Sequence, residues 1–207
     1  MAIEAYFPIP LYTEVSVDDE YIKIQKELLD VYKELNFCQV QNFSPDTHEI
    51  NEGNFSRNIL KEYKCTNFIS FLDKSIDNYL QHVNKFTSGI LPYEFKYMIT
   101  TSWITRTRKG KYAHAHHHRG SDISGVYYIQ TNGMDGHLRI EHPLNAFGKS
   151  HILWMISGVD PRLELEQGRI HLFPSFLRHR TETNPVDHDR LSLSFNIKIL
   201  SSSFSPR

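Results

Sequence analysis

With 207 residues, 40% of them hydrophobic and 23% charged, the chain can bury the core of one domain but falls short of two comfortable ones. A formal net charge of −1 gives no field that would draw a nucleic acid or an anionic membrane surface. No apolar run nears the ~18 residues of a membrane helix, and the two cysteines, Cys38 and Cys65, make neither a disulfide framework nor a zinc spacing.

The opening Met-Ala-Ile-Glu-Ala-Tyr lacks the basic and apolar regions of a secretory signal, so a reduced, cytoplasmic setting is expected. Ser16 followed by Asp19 resembles a capping box with Asp in place of Glu. Behind it Tyr21, Ile24, Leu28, Val31, Tyr32 and Leu35 recur at three- and four-residue steps, which predicts an amphipathic helix over 18–36. Residues 40–60 carry Asn, Ser, Asp, Gly and Pro without a period and read as loop. A second helix is predicted over about 67–86, with Phe68, Leu72, Ile76, Tyr79, Leu80 and Val83 on one side. Both apolar stripes read as core packing.

From Leu91 the texture changes to short β-rich runs broken by glycine turns, with candidate strands at 94–107, 123–130, 137–141, 151–156, 168–173 and 190–199. Helices first and strands afterwards predict one α+β domain over 1–207, its first 90 residues mainly helical support and residues 91–200 the strand-rich core. In the last candidate strand, Arg190, Ser192, Ser194 and Asn196 alternate with Leu191, Leu193, Phe195 and Ile197. Period two puts the polar set on one face and the apolar set on the other. The polar face could meet solvent, or line a barrel in which Arg190 is the counter-ion of a small anionic ligand.

The unusual feature of the composition is histidine: twelve in all, four of them within residues 114–118. Residues i and i+2 at a strand end point the same way, so His-x-His can offer two imidazoles to one metal. Neutral imidazole suits iron, zinc, copper or nickel alike. Two registers compete, His114/His116 and His116/His118, and spacing does not choose between them. His179, after the 168–173 strand and a Pro174-Ser175 turn, is the leading third ligand. The alternative is a surface histidine loop that binds metal only adventitiously. His171 reads as a structural strand histidine, and His48, His82, His137, His142, His151 and His188 receive no function.

The stretch His116-His117-His118-Arg119-Gly120-Ser121-Asp122-Ile123-Ser124-Gly125-Val126-Tyr127-Tyr128 resembles the His-x-His…Ser-Gly-Val-Tyr-Tyr signature of bacterial and phage 2-oxoglutarate and iron(II) oxygenases, a group similar to prolyl 4-hydroxylases. Three more segments resemble that family in the same order: Phe7-Pro8-Ile9-Pro10, Phe173-Pro174-Ser175-Phe176-Leu177-Arg178-His179, and Arg190-Leu191-Ser192-Leu193-Ser194-Phe195-Asn196. The resemblance implies a double-stranded β-helix (jelly roll) and selects His116, His118 and His179 as ligands of iron(II). It further implies 2-oxoglutarate as cosubstrate, O2 as oxidant and ascorbate in support. The cosubstrate's far carboxylate would meet Arg190, eleven residues beyond His179, with Ser192 on the same face and Tyr128 as either a further donor or a packing tyrosine. A guanidinium suits this task because it makes paired, charge-assisted hydrogen bonds to a carboxylate.

The usual facial triad is two histidines and a carboxylate, whereas His118 stands in the second position here. Asp122 and Glu141 are therefore weighed as substitute ligands. A small-molecule or peptidyl substrate, prolyl or amino-acid in type, is expected, and a homo-dimer is allowed for. Residues 40–60 and the Phe147–Pro161 connection are expected to border the site, while Trp103 and Trp154 read as core packing, with a substrate platform as the alternative. Two rivals remain: a three-histidine, cupin-like metalloenzyme that does not use 2-oxoglutarate, and a non-catalytic barrel.

Overall fold

The structure, a computed structural model, describes residues 9–40, 47–53, 56–86, 96–143 and 160–200. In chain order the elements are β1 (Tyr12–Val15), α1 (Asp18–Glu34), β2 (Phe37–Gln39), β3 (Glu49–Asn51), α2 (Ile59–Glu62), α3 (Thr66–Phe86), β4 (Lys96–Thr107), β5 (Ile123–Gln130), β6 (Leu138–Ile140), β7 (Arg169–Pro174), β8 (His179–Thr181) and β9 (Arg190–Leu200). Seven strands form one antiparallel sheet in the order β1-β7-β5-β9-β4-β3-β2, and β6 pairs with β8 in a second, smaller sheet. Backbone bridges from His116 to His179 and from Arg139 to Arg162 widen the smaller sheet. These two layers are the walls of a double-stranded β-helix, with the helices packed on the outer face of the larger sheet.

The alternation of β9 decides which face is which. Leu193, Phe195 and Ile197 are fully buried with Ile24, Leu28, Phe68, Phe71 and Leu72 from the helices, each such side chain contributing about 1.5–3 kcal/mol by leaving water. Neighbouring β5 follows the same rule: Tyr127 packs edge-on against Phe68 and Phe71, and its hydroxyl pairs with Ser16 Oγ at 2.9 Å. Gly125 sits where a side chain could not, since a Cβ there would lie 2.3 Å from the Phe195 ring. The helices are tied together by Glu27 of α1, whose carboxylate accepts from the Asn67 and Phe68 amides at 3.1 and 2.9 Å and so caps the first turn of α3.

Several sequence expectations are corrected. Ser16 does not cap α1: Val17 holds the cap position without a side-chain bond, because the Ser16 hydroxyl is taken by Tyr127 and the Gly168 carbonyl. The supposed loop 40–60 contains β3 and the start of α2, elements too short to show a period. Strands β1, β2 and β8 were not foreseen for the same reason. Between His179 and Arg190 the chain crosses from the smaller sheet to the larger, so the two residues stand on opposite walls. The candidate strand 151–156, Trp154, Phe7 and Pro8 lie outside the described residues, as does most of Phe147–Pro161.

Candidate active site

Between the sheets lies a cavity of about 480 Å³. The polar face of β9 lines it with Arg190, Ser192, Ser194 and Asn196, and the cavity face of β5 adds Ser124, Val126 and Tyr128. The larger sheet thus turns its apolar residues to the helices and its polar ones inward.

At one place in the wall the structure brings His116, His118 and His179 together, with one ligand atom from each lying within 4.8 Å of the others. Two reciprocal backbone hydrogen bonds, His116 N to His179 O at 2.9 Å and His179 N to His116 O at 2.8 Å, hold the first and third residues side by side. His116 Nδ1 lies 2.7 Å from the His114 carbonyl and His179 Nδ1 2.9 Å from the Leu177 carbonyl. A carbonyl only accepts, so each Nδ1 carries the hydrogen and each Nε2 offers a lone pair. Burial lowers the pKa of all three imidazoles, His118 to about 4 and His179 well below its ordinary value. They are neutral near pH 7, the form that binds a metal. The donor set therefore fits a divalent iron.

His114 is not in this cluster; its ring packs edge-on against Tyr112 at 4.8 Å. His117 Nε2 accepts from Arg119 Nε at 2.9 Å. Neither carboxylate weighed as a substitute ligand approaches the histidines. Asp122 binds Lys198 Nζ at 3.0 Å and the Ile199 amide at 2.8 Å, and Glu141 pairs with Arg178 at 2.8 Å. Among the described residues the cluster has no acidic member.

Arg190 lines the same cavity and is 2% exposed. Its Nη1 donates to the Asp135 carbonyl at 3.0 Å and to the Gly136 carbonyl, and its Nη2 donates to Thr107 Oγ1 at 3.0 Å. Among the described residues its Nε has no partner and no carboxylate forms an ion pair with it. The Asp135 carboxylate is turned away, bound to His188 Nδ1 at 2.9 Å and Thr131 Oγ1 at 2.7 Å. Burial lowers the Arg190 pKa, and Tyr128 and Asp135 oppose that shift. A buried guanidinium held by neutral acceptors, with one donor to spare, fits an anionic ligand's carboxylate. Ser192 stands opposite Tyr128 on one side and Thr105 on the other, which sets three hydroxyls in a row across three strands beside Arg190. Burial pushes the Tyr128 phenol up to about 12 and keeps its proton in place as a donor.

Sequence reasoning missed two cavity residues, His48 and Asn196, and favoured the core for a third, Trp103. His48 lines the wall, with Nδ1 3.3 Å from the Tyr112 carbonyl and its pKa lowered to about 4 by burial; it lies in a stretch with no period to place it. Trp103, expected in the core, faces the cavity beside His118 at 5.6 Å between ring centroids. The polar face of β9 was visible, yet nothing in sequence marked Asn196 as a neighbour of His118. His171 is buried against the edge of Tyr128 with Nε2 2.8 Å from the Glu164 carbonyl, a structural placement.

Residues 101–196 match the model of a family described as "Putative 2OG-Fe(II) oxygenase". These residues belong to the 2-oxoglutarate and iron(II) oxygenases. That family consists of enzymes of the iron(II)- and 2-oxoglutarate-dependent type. All three clustered histidines, Tyr128, Arg190 and Ser192 fall within the matched stretch. No curated protein matches the oxygenase in sequence. Among solved structures it is similar in fold to a prolyl-4-hydroxylase of Pseudomonas putida, with 14% identity over 92% of this chain and 93% of that one, at a TM-score of 0.57. A prolyl hydroxylase from Trichoplax adhaerens, in complex with a hypoxia inducible factor peptide fragment, shares 15% identity over 91% and 83% of the two chains, at a TM-score of 0.58. HygX from Streptomyces hygroscopicus, with nickel and 2-oxoglutarate bound, shares 12% identity over 92% and 83%, also at 0.58. Among the oxygenase's described residues no helix is long and apolar enough to cross a membrane.

Proposed function

We propose that this oxygenase hydroxylates a small-molecule or peptide substrate, with His116, His118 and His179 as iron(II) ligands and Arg190, Ser192 and Tyr128 receiving the far carboxylate of 2-oxoglutarate. One observation carries the reading: a single cavity holds both three converging neutral imidazoles and a buried arginine whose Nε lacks a partner. Bound iron(II) would couple O2 reduction to decarboxylation of the cosubstrate and oxidation of the substrate. The chain's own part is placement. The backbone bonds of His116 and His179 fix their rings, Arg190 fixes the far end of the cosubstrate, and Leu138, Val126 and Phe173 make that part of the wall apolar. Trp103, Thr101 and His48 remain along the cavity for the substrate. Two solved relatives in fold hold a peptide and hygromycin B, which supports a substrate of either size.

The test is an anaerobic titration of the protein with iron(II) and 2-oxoglutarate, following the visible metal-to-ligand charge-transfer band. The band should need both components and should disappear in Arg190→Ala while one iron per chain is retained. One bound iron with no band would move the assignment to a three-histidine enzyme that does not use 2-oxoglutarate. In His179→Ala stoichiometric iron binding should vanish; one tightly held iron in that variant would overturn the ligand set.

A further inference from the structure

The three imidazoles are not held alike. His116 and His179 are each set by a backbone carbonyl two residues earlier, which leaves Nε2 free for a metal. For His118 the described partner of Nδ1 is a side chain: the Asn196 amide nitrogen, 3.4 Å away. An amide nitrogen only donates, so His118 Nδ1 here accepts. In the neutral ring the hydrogen then sits on Nε2, the atom His118 would have to offer the metal.

Asn196 is 8% exposed and lies at the centre of a polar network. Its Oδ1 accepts from Ser124 Oγ at 2.9 Å, and its Nδ2 donates to Thr101 Oγ1 at 3.1 Å. Ser124 Oγ pairs in turn with Ser175 Oγ at 2.8 Å. Strand register explains the cluster, since Asn196 stands opposite Ser124 on β5 and Thr101 on β4. Each of the other partners is a hydroxyl, which can donate or accept. The amide can therefore turn over without orphaning anything: Oδ1 would face His118 and Thr101, and Nδ2 would donate to Ser124.

We propose that Asn196 is the positioning residue for His118 and acts as a tautomer switch, turning its carbonyl to Nδ1 as metal binds and so freeing Nε2. This role rests on the reading of the three histidines as the metal centre. It also locates where such a site, without a carboxylate ligand, receives negative character: through the acceptor behind His118. An outer partner of this kind changes metal affinity by about 10–100-fold.

Nitrogen-15 NMR of histidine-labelled protein tests the switch, with zinc as a diamagnetic probe. In the metal-free protein His116 and His179 should carry hydrogen on Nδ1 and His118 on Nε2, and zinc should convert His118 to the Nδ1–H form. Asn196→Leu should weaken zinc binding about tenfold or more. Asn196→Asp, which only accepts, should hold His118 as Nδ1–H before zinc is added and bind zinc at least as tightly as the parent. A metal-free parent protein with His118 already in the Nδ1–H form would overturn the role of Asn196 alone, and so would an unchanged zinc affinity in Asn196→Leu. Histidine signals that do not move with zinc in the parent protein would overturn the metal centre and this role with it. The tautomer reading needs no variant, so a poorly folding Asn196→Leu would not shield the proposal.

Discussion

Arg190 owes its position to a glycine. Gly136 adopts φ +93°, a conformation that L side chains rarely enter, and a Cβ there would lie 2.5 Å from the Glu182 carbonyl oxygen. That turn presents the Asp135 and Gly136 carbonyls to the Arg190 guanidinium. Gly136→Ala must shift this backbone, so it should weaken 2-oxoglutarate binding tenfold or more while leaving metal affinity near that of the parent protein. Separate zinc and 2-oxoglutarate titrations check this; equal loss of both would show general unfolding instead. At this scale the sequence was readable only where chemistry was local. Arg190 stood out as a charge at the start of an alternating strand. The choice between His114 and His118 did not follow from spacing; in the structure His118 joins the cluster while the His114 ring packs against Tyr112. Asn196 and His48 were silent because their partners lie across the fold, 78 residues away for the first and 64 for the second.

The longer elements were the legible ones. Helices α1 and α3 followed from apolar recurrence, and both faces of β9 followed from period two. Strands of three or four residues such as β1, β2, β3 and β8 carry too few side chains for any period; β1 and β3 pair with the longer β7 and β4, β2 with β3, and β8 with β6. The failed cap at Ser16 has the same origin, a long-range partner that outcompetes a local one. Tyr127 couples α1 to the sheet through Ser16, and Gln25 Nε2 also reaches its hydroxyl at 3.4 Å. Tyr127→Phe keeps the ring packing and removes the shared hydroxyl from a buried site. The variant should lose about 1–2 kcal/mol in urea unfolding without a change in zinc affinity. Phe68→Ala, at the centre of the helix–sheet core, should cost about 3–5 kcal/mol. An effect of Tyr127→Phe as large as that of Phe68→Ala would mean that the hydroxyl network, not the core, holds α1 in place.

At the scale of the molecule, enclosing a polar cavity between two sheets obliges the fold to bury imidazoles in the neutral form, which ties stability to pH. His48 and His171 are both lowered by burial to about 4, against an ordinary value of 6.5, although each has a backbone carbonyl partner that acts the other way. Between those limits the unfolded chain holds more protons than the folded one, so stability rises with pH across that window. The contribution is complete above pH 6.5 and is lost as pH falls towards 4. Each of the two residues adds up to about 1.4 kcal/mol per pH unit inside the window. Glu182 acts in a different range: burial raises its carboxyl, but Arg162 and Arg139 outweigh this and lower it from 4.5 to about 2. Its contribution is intact above pH 4.5 and falls only below that. Urea unfolding of chelator-treated protein should therefore show stability nearly flat from pH 8 to 7 and declining from 6.5 to 4.5. His171→Gln should make that decline shallower by about one proton's worth. A parent protein equally stable at pH 7 and pH 5 would mean that these imidazoles take up protons in the folded state, and that their surroundings are wetter than their burial implies.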